Sequence, residues 1–223
     1  MRALRLIAGL ALAALAASTG ARAQSDDEVE RAFAAARRRA NAGDVVAQFS
    51  LGSLLYYGSK DTAQAVDWFR RAAAQAYAPA EFQMGLIYDF GFGVVQSDSE
   101  ALAWYRKAAT HGSAPGQRTL ADFYRKGRSV PADPAEALRW YQRAAEADDI
   151  RAQYQLGDMY FNASGVARDY SSAYVWFSIA ASQAPLLDNR KQLIELRNIA
   201  AVRMTPEAVT EAERRVAAWK PRR

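Results

Sequence analysis

Four tryptophans recur at a fixed interval along the chain, and this interval constrains the fold more than any other feature of the sequence. Successive members of the set are 36 residues apart: they are Trp68, Trp104, Trp140 and Trp176. Chance does not produce such an interval, and self-similarity with a period of about 20–50 residues is typical of tandem arrays of one supersecondary unit. The sequence therefore predicts a repeat protein.

The segment around each tryptophan predicts an amphipathic helix, here called helix B. Alanine lies three residues before the tryptophan, an aromatic residue directly after it, and an alanine pair four and five residues after it, as in ALAWYRKAA of the second repeat. These positions share one face of a helix. The tryptophan is therefore predicted to be an interior ring, packed between alanine methyl groups.

The start of helix B is also marked in every repeat. Seven residues before each tryptophan stands a residue that favours the N-cap of a helix: Asp61, Ser97, Asp133 and Asp169. In the first three repeats Gln or Glu follows three residues later, which is the capping-box pattern in which that side chain bonds back to the cap. We assign these carboxylates to helix ends, since capping explains them without a catalytic role.

A second helix, helix A, is predicted before each helix B. A small residue follows an apolar one in each of its copies, which lets a neighbouring helix approach closely. The copies are LGSLLYYG (51–58), MGLIYDFG (84–91), LADFYRKG (120–127) and LGDMYFNA (156–163). Gly58, Gly91 and Gly127 are predicted to end their helices, and Ala163 replaces glycine in the fourth repeat.

At this point the residues resemble a known family. The second repeat, AEFQMGLIYDFGFGVVQSDSEALAWYRKAATHGSAPGQ, is similar to the Sel-one-like repeat (SLR) family, a branch of the tetratricopeptide-like α/α repeats. The resemblance implies an all-α fold, an α/α superhelical solenoid that generally binds other proteins. We expect four repeats in residues 45–185, with approximate limits 45–79, 80–115, 116–151 and 152–185. Residues 24–44 and 186–223 are expected to hold the N-terminal capping helix and the C-terminal capping helices with a basic tail.

The first 23 residues have the pattern of a secretory signal peptide. Two arginines precede an apolar run from Leu6 to Ala17, and small residues precede Gln24. We expect cleavage after residue 23 and a periplasmic or secreted protein without an integral membrane segment; an uncleaved anchor is the alternative. Cleavage would remove three of the 29 basic residues and leave 26 against 24 acidic ones, so the charge gives no argument for nucleic-acid binding. The chain has no cysteine, so its fold depends on packing without disulfides, which suits a bacterial periplasm.

The sequence offers no recognisable catalytic constellation. It contains no cysteine and one histidine, His111, which we place at the surface near the end of a helix B. No spacing of a zinc site is present, and the segment from Gly91 to Val94 fits a turn between helices A and B rather than a phosphate loop. We therefore expect no enzyme, cofactor or metal, and a scaffold or regulatory adaptor for protein interactions. The alternative is a protein that processes or modulates the cell wall, with peptidoglycan or a β-lactam as its ligand.

The resemblance places the candidate binding side chains on helix A, which would line a concave face. The first two repeats offer aromatic residues there, the third offers cations, and the fourth combines aromatic residues with aspartate. The candidates are Phe49, Tyr57, Phe82, Asp89, Phe90, Arg118, Asp122, Arg125, Lys126, Tyr154, Asp158 and Phe161. The aromatic residues fit either this surface or the seam between repeats. The cations are expected to be exposed, either in a binding site for an acidic peptide or on a solvated face.

Overall fold

The computed structural model describes residues 26–59, 61–184 and 187–221. The expected signal segment, residues 1–23, lies outside the described residues. Within those ranges the chain forms α-helices and one π-helical turn but no strand, which confirms the all-α fold. The chain divides into two compact units, Met1–His111 and Gly112–Arg223.

The first unit contains one leading helix and two pairs of helices A and B. The amphipathic segment expected at the start forms the leading helix. The helices are α1 (Asp26–Asn41), α2 (Val45–Leu54), α3 (Thr62–Ala73), α4 (Ala78–Phe90) and α5 (Asp98–Thr110), and the π-helical turn Leu55–Ser59 follows α2. Helices α2 and α4 are of type A, and helices α3 and α5 are of type B.

The second unit also contains two pairs of helices A and B, followed by two closing helices. Its A and B helices alternate as α6, α7, α8 and α9. The helices are α6 (Ala114–Lys126), α7 (Pro134–Glu146), α8 (Ile150–Asn162), α9 (Tyr170–Gln183), α10 (Leu187–Ala201) and α11 (Pro206–Ala218). Thr205 caps α11 by accepting a hydrogen bond from the backbone N–H of Ala208.

The predicted N-caps of the B helices are confirmed, but the capping boxes predicted for the second and third repeats do not form. The side chains of Asp61, Ser97, Asp133 and Asp169 each accept from the backbone N–H three residues later. The backbone N–H of the last three caps donates to a helix A carbonyl at 2.9–3.0 Å: the acceptors are Tyr88, Tyr124 and Tyr160. In the second and third repeats, these carbonyls accept the hydrogen bond from the cap N–H that the side chains of Glu100 and Glu136 were predicted to accept. Each of these three B helices is thereby fixed to the helix A before it.

The interior ring of each repeat is the aromatic residue after the tryptophan, not the tryptophan itself. These rings are at most 1% exposed: Phe69, Tyr105, Tyr141 and Phe177. The four tryptophans are only partly buried, so the prediction that they are interior rings is wrong. In three repeats the cation three residues later lies 4.1–4.7 Å from the tryptophan ring centroid: the cations are Arg71, Lys107 and Arg143. These contacts place the tryptophans at the boundary between core and solvent.

The small residue of helix A allows close approach, as predicted, and its neighbour is the interior ring of the same repeat. A Cβ atom added at Gly52 would lie 2.8 Å from Phe69, and one at Gly157 would lie 2.5 Å from Phe177. A Cβ atom at Gly85 would overlap the ring of Tyr105. In these three repeats, the interior ring of helix B therefore packs directly against the backbone of helix A.

Helix A ends in a left-handed residue in three repeats. Gly91 has φ 71° and Gly127 has φ 67°, and Ala163 adopts the same conformation with φ 55°. Gly58 differs from the prediction, because it lies within the π-helical turn that follows α2. The first repeat has three fewer residues between its helices A and B than the other repeats, so this connection is shorter.

Candidate functional site

In the first unit, the candidates Phe49 and Phe82 belong to the seam between helices. The ring centroid of Phe49 lies 5.6 Å from that of Phe69 and 5.5 Å from that of Tyr77. The Phe82 centroid lies 5.7 Å from that of Tyr105. Both phenylalanines are partly buried, so the seam accounts for most of their surface.

Asp89 also lies in the interior of the first unit. Its residue is 9% exposed, and its carboxylate accepts a hydrogen bond of 3.0 Å from the hydroxyl of Tyr105. A buried phenol needs an acceptor, and a buried carboxylate needs a donor. Asp89 therefore anchors the interior ring of the second repeat.

Four aromatic side chains of the first unit form a connected surface cluster, which we call the aromatic patch: Tyr56, Tyr57, Phe90 and Phe92. Tyr57 and Phe90 are 61% and 60% exposed, and Phe92 is 45% exposed. The centroid of Tyr56 lies 4.8 Å from that of Tyr57 and 6.0 Å from that of Phe92, and Phe90 stacks on Phe92 at 5.5 Å. The rings thus form a chain of contacts that is open to solvent.

Local backbone features position this patch. Tyr56 and Tyr57 lie in the π-helical turn, and such turns occur frequently at functional sites. Phe90 is the last residue of α4, and Phe92 follows the left-handed Gly91 and donates its N–H to the carbonyl of Ile87 at 3.0 Å.

Gly93 brings this turn against the start of α3. It has φ 73°, and a Cβ atom there would lie 2.6 Å from Cγ2 of Thr62. Glycine is therefore required on both backbone and steric grounds, and it holds Phe92 in place beside Phe90.

Sequence reasoning identified Tyr57 and Phe90 but missed Phe92. The segment Gly91 to Val94 was interpreted as a connecting turn, which is correct for its backbone. The available signal was the aromatic residue between two glycines, at a position where the third repeat has Arg128. A large apolar side chain in an exposed turn is informative when it joins other exposed rings in one patch, as Phe92 does.

In the second unit, the expected cations form an ion-pair network instead of an exposed row. The side chain of Arg118 is 18% exposed, and its Nε lies 3.3 Å from a carboxylate oxygen of Asp149. Both Arg118 and Arg125 lie 3.7 Å from oxygens of Asp122. The prediction that Arg118 and Arg125 are exposed is wrong, because carboxylates of α6 and of the residue before α8 hold them.

The interior ring of the third repeat completes this network. The hydroxyl of Tyr141 donates to Asp122 and accepts from Nε of Arg125 at 3.1 Å. Burial raises the pKa of Tyr141, and the Asp122 carboxylate raises it further, so the phenol stays protonated and remains a donor. The network fixes Tyr141 in the core and also orients the two arginines.

The remaining candidates of the second unit differ in their availability. Lys126 is exposed, while Tyr154, Asp158 and Phe161 are partly buried. The centroids of Tyr154 and Phe161 lie 6.2 and 6.4 Å from that of Phe177. Asp158 accepts a hydrogen bond of 2.7 Å from Asn162. The two aromatic contacts resemble the seam contacts of Phe49 and Phe82.

The described parts of the chain contain neither a metal-binding cluster nor a helix that could span a membrane. No group of three or more His, Cys, Asp or Glu side chains there could hold a metal ion. No helix in these ranges combines the length and apolar character that crossing a membrane requires.

Comparison with known proteins supports the repeat frame. The Sel1 repeat model matches residues 45–77, 78–113, 114–149 and 150–185. The structure is similar to that of a Sel1 repeat protein from Oxalobacter formigenes, with 30% identity, a TM-score of 0.65, and coverage of 76% of this chain and 79% of that chain. It is also similar to c5321, a protective antigen of uropathogenic Escherichia coli strains with an SLR fold. That match has 27% identity, a TM-score of 0.52, and coverage of 87% of this chain and 48% of that chain. No curated protein matches the chain.

Proposed function

We propose that this protein is a scaffold or regulatory adaptor of the bacterial periplasm. The chain belongs to the Sel1 repeat family, whose members are generally scaffolds for protein interactions. It binds a protein or peptide partner through side chains of its A helices and the turns that follow them. The aromatic patch is the central anchor of this interaction.

The exposure of the patch carries the proposal. Tyr57, Phe90 and Phe92 keep 45–61% of their surface in water although each contacts another ring of the patch. Removing apolar surface from water yields about 25 cal/mol per Å². Aromatic side chains are also enriched among the residues that dominate binding energy at interfaces. A partner that covers the patch therefore gains affinity, while the free protein gains nothing from leaving it open.

The chemistry of the site favours binding over catalysis. The patch has phenol hydroxyls and ring faces, and the carboxylate that precedes Phe90 in the sequence, that of Asp89, is bonded to Tyr105. Proton transfer at a substrate requires a group within hydrogen-bond reach of it. The aromatic rings provide contact area and orientation instead.

Site-specific photocrosslinking would test the proposal. Benzoylphenylalanine at position 90 should form adducts with a discrete partner in intact cells, because the ring of Phe90 is 60% exposed within the patch. The same probe at position 202 is the matched control, since Val202 is 83% exposed and lies outside the patch. Replacing Tyr57 and Phe92 by Ser should abolish the adduct at position 90.

Three outcomes would contradict the proposal. One is an equal set of adducts at positions 90 and 202. The second is an adduct that persists in the Tyr57→Ser/Phe92→Ser variant. The third is hydrolysis of peptidoglycan or a β-lactam by the purified protein, which would support the cell-wall alternative.

The location in the periplasm rests on the pattern of residues 1–23. A charged start, an apolar run and small residues before Gln24 are the three parts of a secretory signal. The exported protein should begin at Gln24, which the intact mass of the periplasmic fraction would measure. A mass that includes the first 23 residues would contradict this assignment.

A further inference from the structure

A polar pair joins the two helices of a repeat at the same register in three repeats. The residue seven positions after the tryptophan contacts a buried polar residue of the preceding helix A. The pairs are Gln75 with Gln48 at 2.8 Å, His111 with Glu81 at 2.7 Å, and Gln183 with Gln153 at 3.4 Å. The second repeat is thus the one in which ionisable groups replace the two amides.

This substitution places a carboxylate in the interior of the first unit. The side chain of Glu81 is 2% exposed, whereas that of His111 is 41% exposed. Burying a carboxylate is costly unless a hydrogen-bonded partner compensates for it. Nδ1 of His111 provides that bond at 2.7 Å.

Both residues of the pair line an open cavity of about 420 Å³. Arg70, Lys107 and His111 contribute its cationic or donor groups, while Trp104 and the methyl groups of three alanines contribute apolar surface: Ala73, Ala74 and Ala76. Its volume lies within the range of about 300–1,000 Å³ that is typical of ligand sites. The cavity therefore combines several donors with a small apolar floor.

Lys107 is the cation best placed to bind an anion. Its Nζ lies 4.1 Å from the ring centroid of Trp104, and among the described residues no carboxylate forms an ion pair with it. Arg70, by contrast, pairs with Asp67 at 3.0 Å on the surface. An ammonium on a ring face keeps donors for a carboxylate, because the ring occupies only one side of it.

A neighbouring cavity shows what makes this one distinctive. One repeat earlier, Trp68 and Arg71 line a smaller cavity of about 290 Å³, which α1 borders through Phe33. Asp67 also lines that cavity; although it pairs with Arg70, its side chain is 67% exposed and so is more accessible to a ligand than the buried Glu81. In the larger cavity the carboxylate belongs to Glu81 and already accepts a bond from His111.

We propose that the cavity between α3, α4 and α5 is a second binding site, which takes an acidic peptide segment. A glutamate or aspartate carboxylate of the segment binds between Lys107 and Arg70, and a neighbouring aliphatic side chain lies on Trp104 and the alanine floor. This site is built largely by B helices and is separate in its residues from the aromatic patch. It therefore goes beyond the function proposed above.

Calorimetric titration of the full chain with two short peptides would test the proposal. The peptide acetyl-Leu-Glu-Leu-Glu-amide should bind at least about tenfold more tightly than acetyl-Leu-Gln-Leu-Gln-amide, because charge-assisted bonds are stronger than neutral ones. Lys107→Met should weaken the acidic peptide about fivefold or more. Arg143→Met is the matched control, because Arg143 stacks on Trp140 where Ala147 replaces the histidine, and it should leave the affinity unchanged.

Four results would contradict an acidic-peptide site in this cavity. Equal affinity for the two peptides would overturn it, as would a Lys107→Met variant that keeps its circular dichroism spectrum and binds normally. Binding of phosphatidylglycerol vesicles through Lys107 without peptide binding would assign the cavity to a membrane and overturn it as well. A Tyr57→Ser/Phe92→Ser variant should retain the acidic peptide; its loss would place the peptide on the aromatic patch instead.

Discussion

At the scale of single residues, backbone conformation separates positions that look alike in the sequence. Ala163 occupies the left-handed position at the end of helix A, with φ 55° and ψ 39°, where two other repeats have Gly91 and Gly127. An L-residue with a Cβ atom is strained in this region, whereas glycine is not. At the end of helix A, the fourth repeat therefore carries strain that glycine avoids in the second and third repeats.

Ala163→Gly should relieve this strain and stabilise the protein by about 1 kcal/mol. The methyl group of Ala163 is exposed, so its removal sacrifices little packing. Urea denaturation followed by circular dichroism would measure the gain. Ala147→Gly is the control, since Ala147 is exposed with φ −87° and gains nothing from glycine. Equal effects of the two substitutions would show that φ is not the cause.

At the scale of helices, two adjacent aromatic residues of helix B have different roles. Tyr105 is 0% exposed and contacts Gly85 and Asp89 of helix A. Trp104 is partly buried and lies under Lys107. Neighbouring residues on a helix are about 100° apart, so hydrophobic periodicity places both near the core and does not rank them.

Tyr105→Ala should cost about 3–5 kcal/mol, as for other large rings removed from a core. Trp104→Ala should cost less, about 1–3 kcal/mol, because part of its ring is already in water. Chemical denaturation of both variants would establish the order. A larger loss from Trp104→Ala would mean that the tryptophan is the structural ring of helix B after all.

The sequence predicts features that depend on local spacing, but not those that depend on how helices pack. The repeat period, the N-caps Ser97 and Asp133 and the close approach at Gly85 follow from local spacing and backbone chemistry, and the structure confirms them. The pairing of Arg118 with Asp149 joins residues 31 positions apart. Such partners depend on how helices pack, and no local pattern specifies them.

The candidate site shows the same division. Tyr57 and Phe90 were predicted from positions shared by all repeats, and both are exposed. Phe92 and the Glu81–His111 pair lie where one repeat departs from the others, so the repeat frame does not reveal them. Departures from a repeat pattern are therefore the places where this chain differs from a generic scaffold.

At the scale of the whole molecule, charged caps and buried phenols act on stability at opposite ends of the pH range. Hydrogen bonds from Ala47 and Arg39 lower the pKa of Asp44 below its ordinary 3.8. Burial alone would raise the pKa of Asp169, but bonds from Ser172 lower it below 3.8. Burial raises the pKa of Tyr56, Tyr141 and Tyr174 above their ordinary value of 10.0.

These shifts predict a stability plateau with two falling limbs. A carboxylate with a lowered pKa in the folded state stabilises the fold above about pH 4, and this contribution is lost as the pH falls through the folded-state value. A phenol with a raised pKa contributes fully below about pH 10, and this contribution is lost as the pH rises further. Urea denaturation across the pH range would measure both limbs.

Asp169→Asn should flatten the acid limb because asparagine still caps α9 but does not titrate, and Tyr141→Phe should flatten the alkaline limb. Slopes unchanged from those of the parent protein would show that these two groups do not couple protonation to folding.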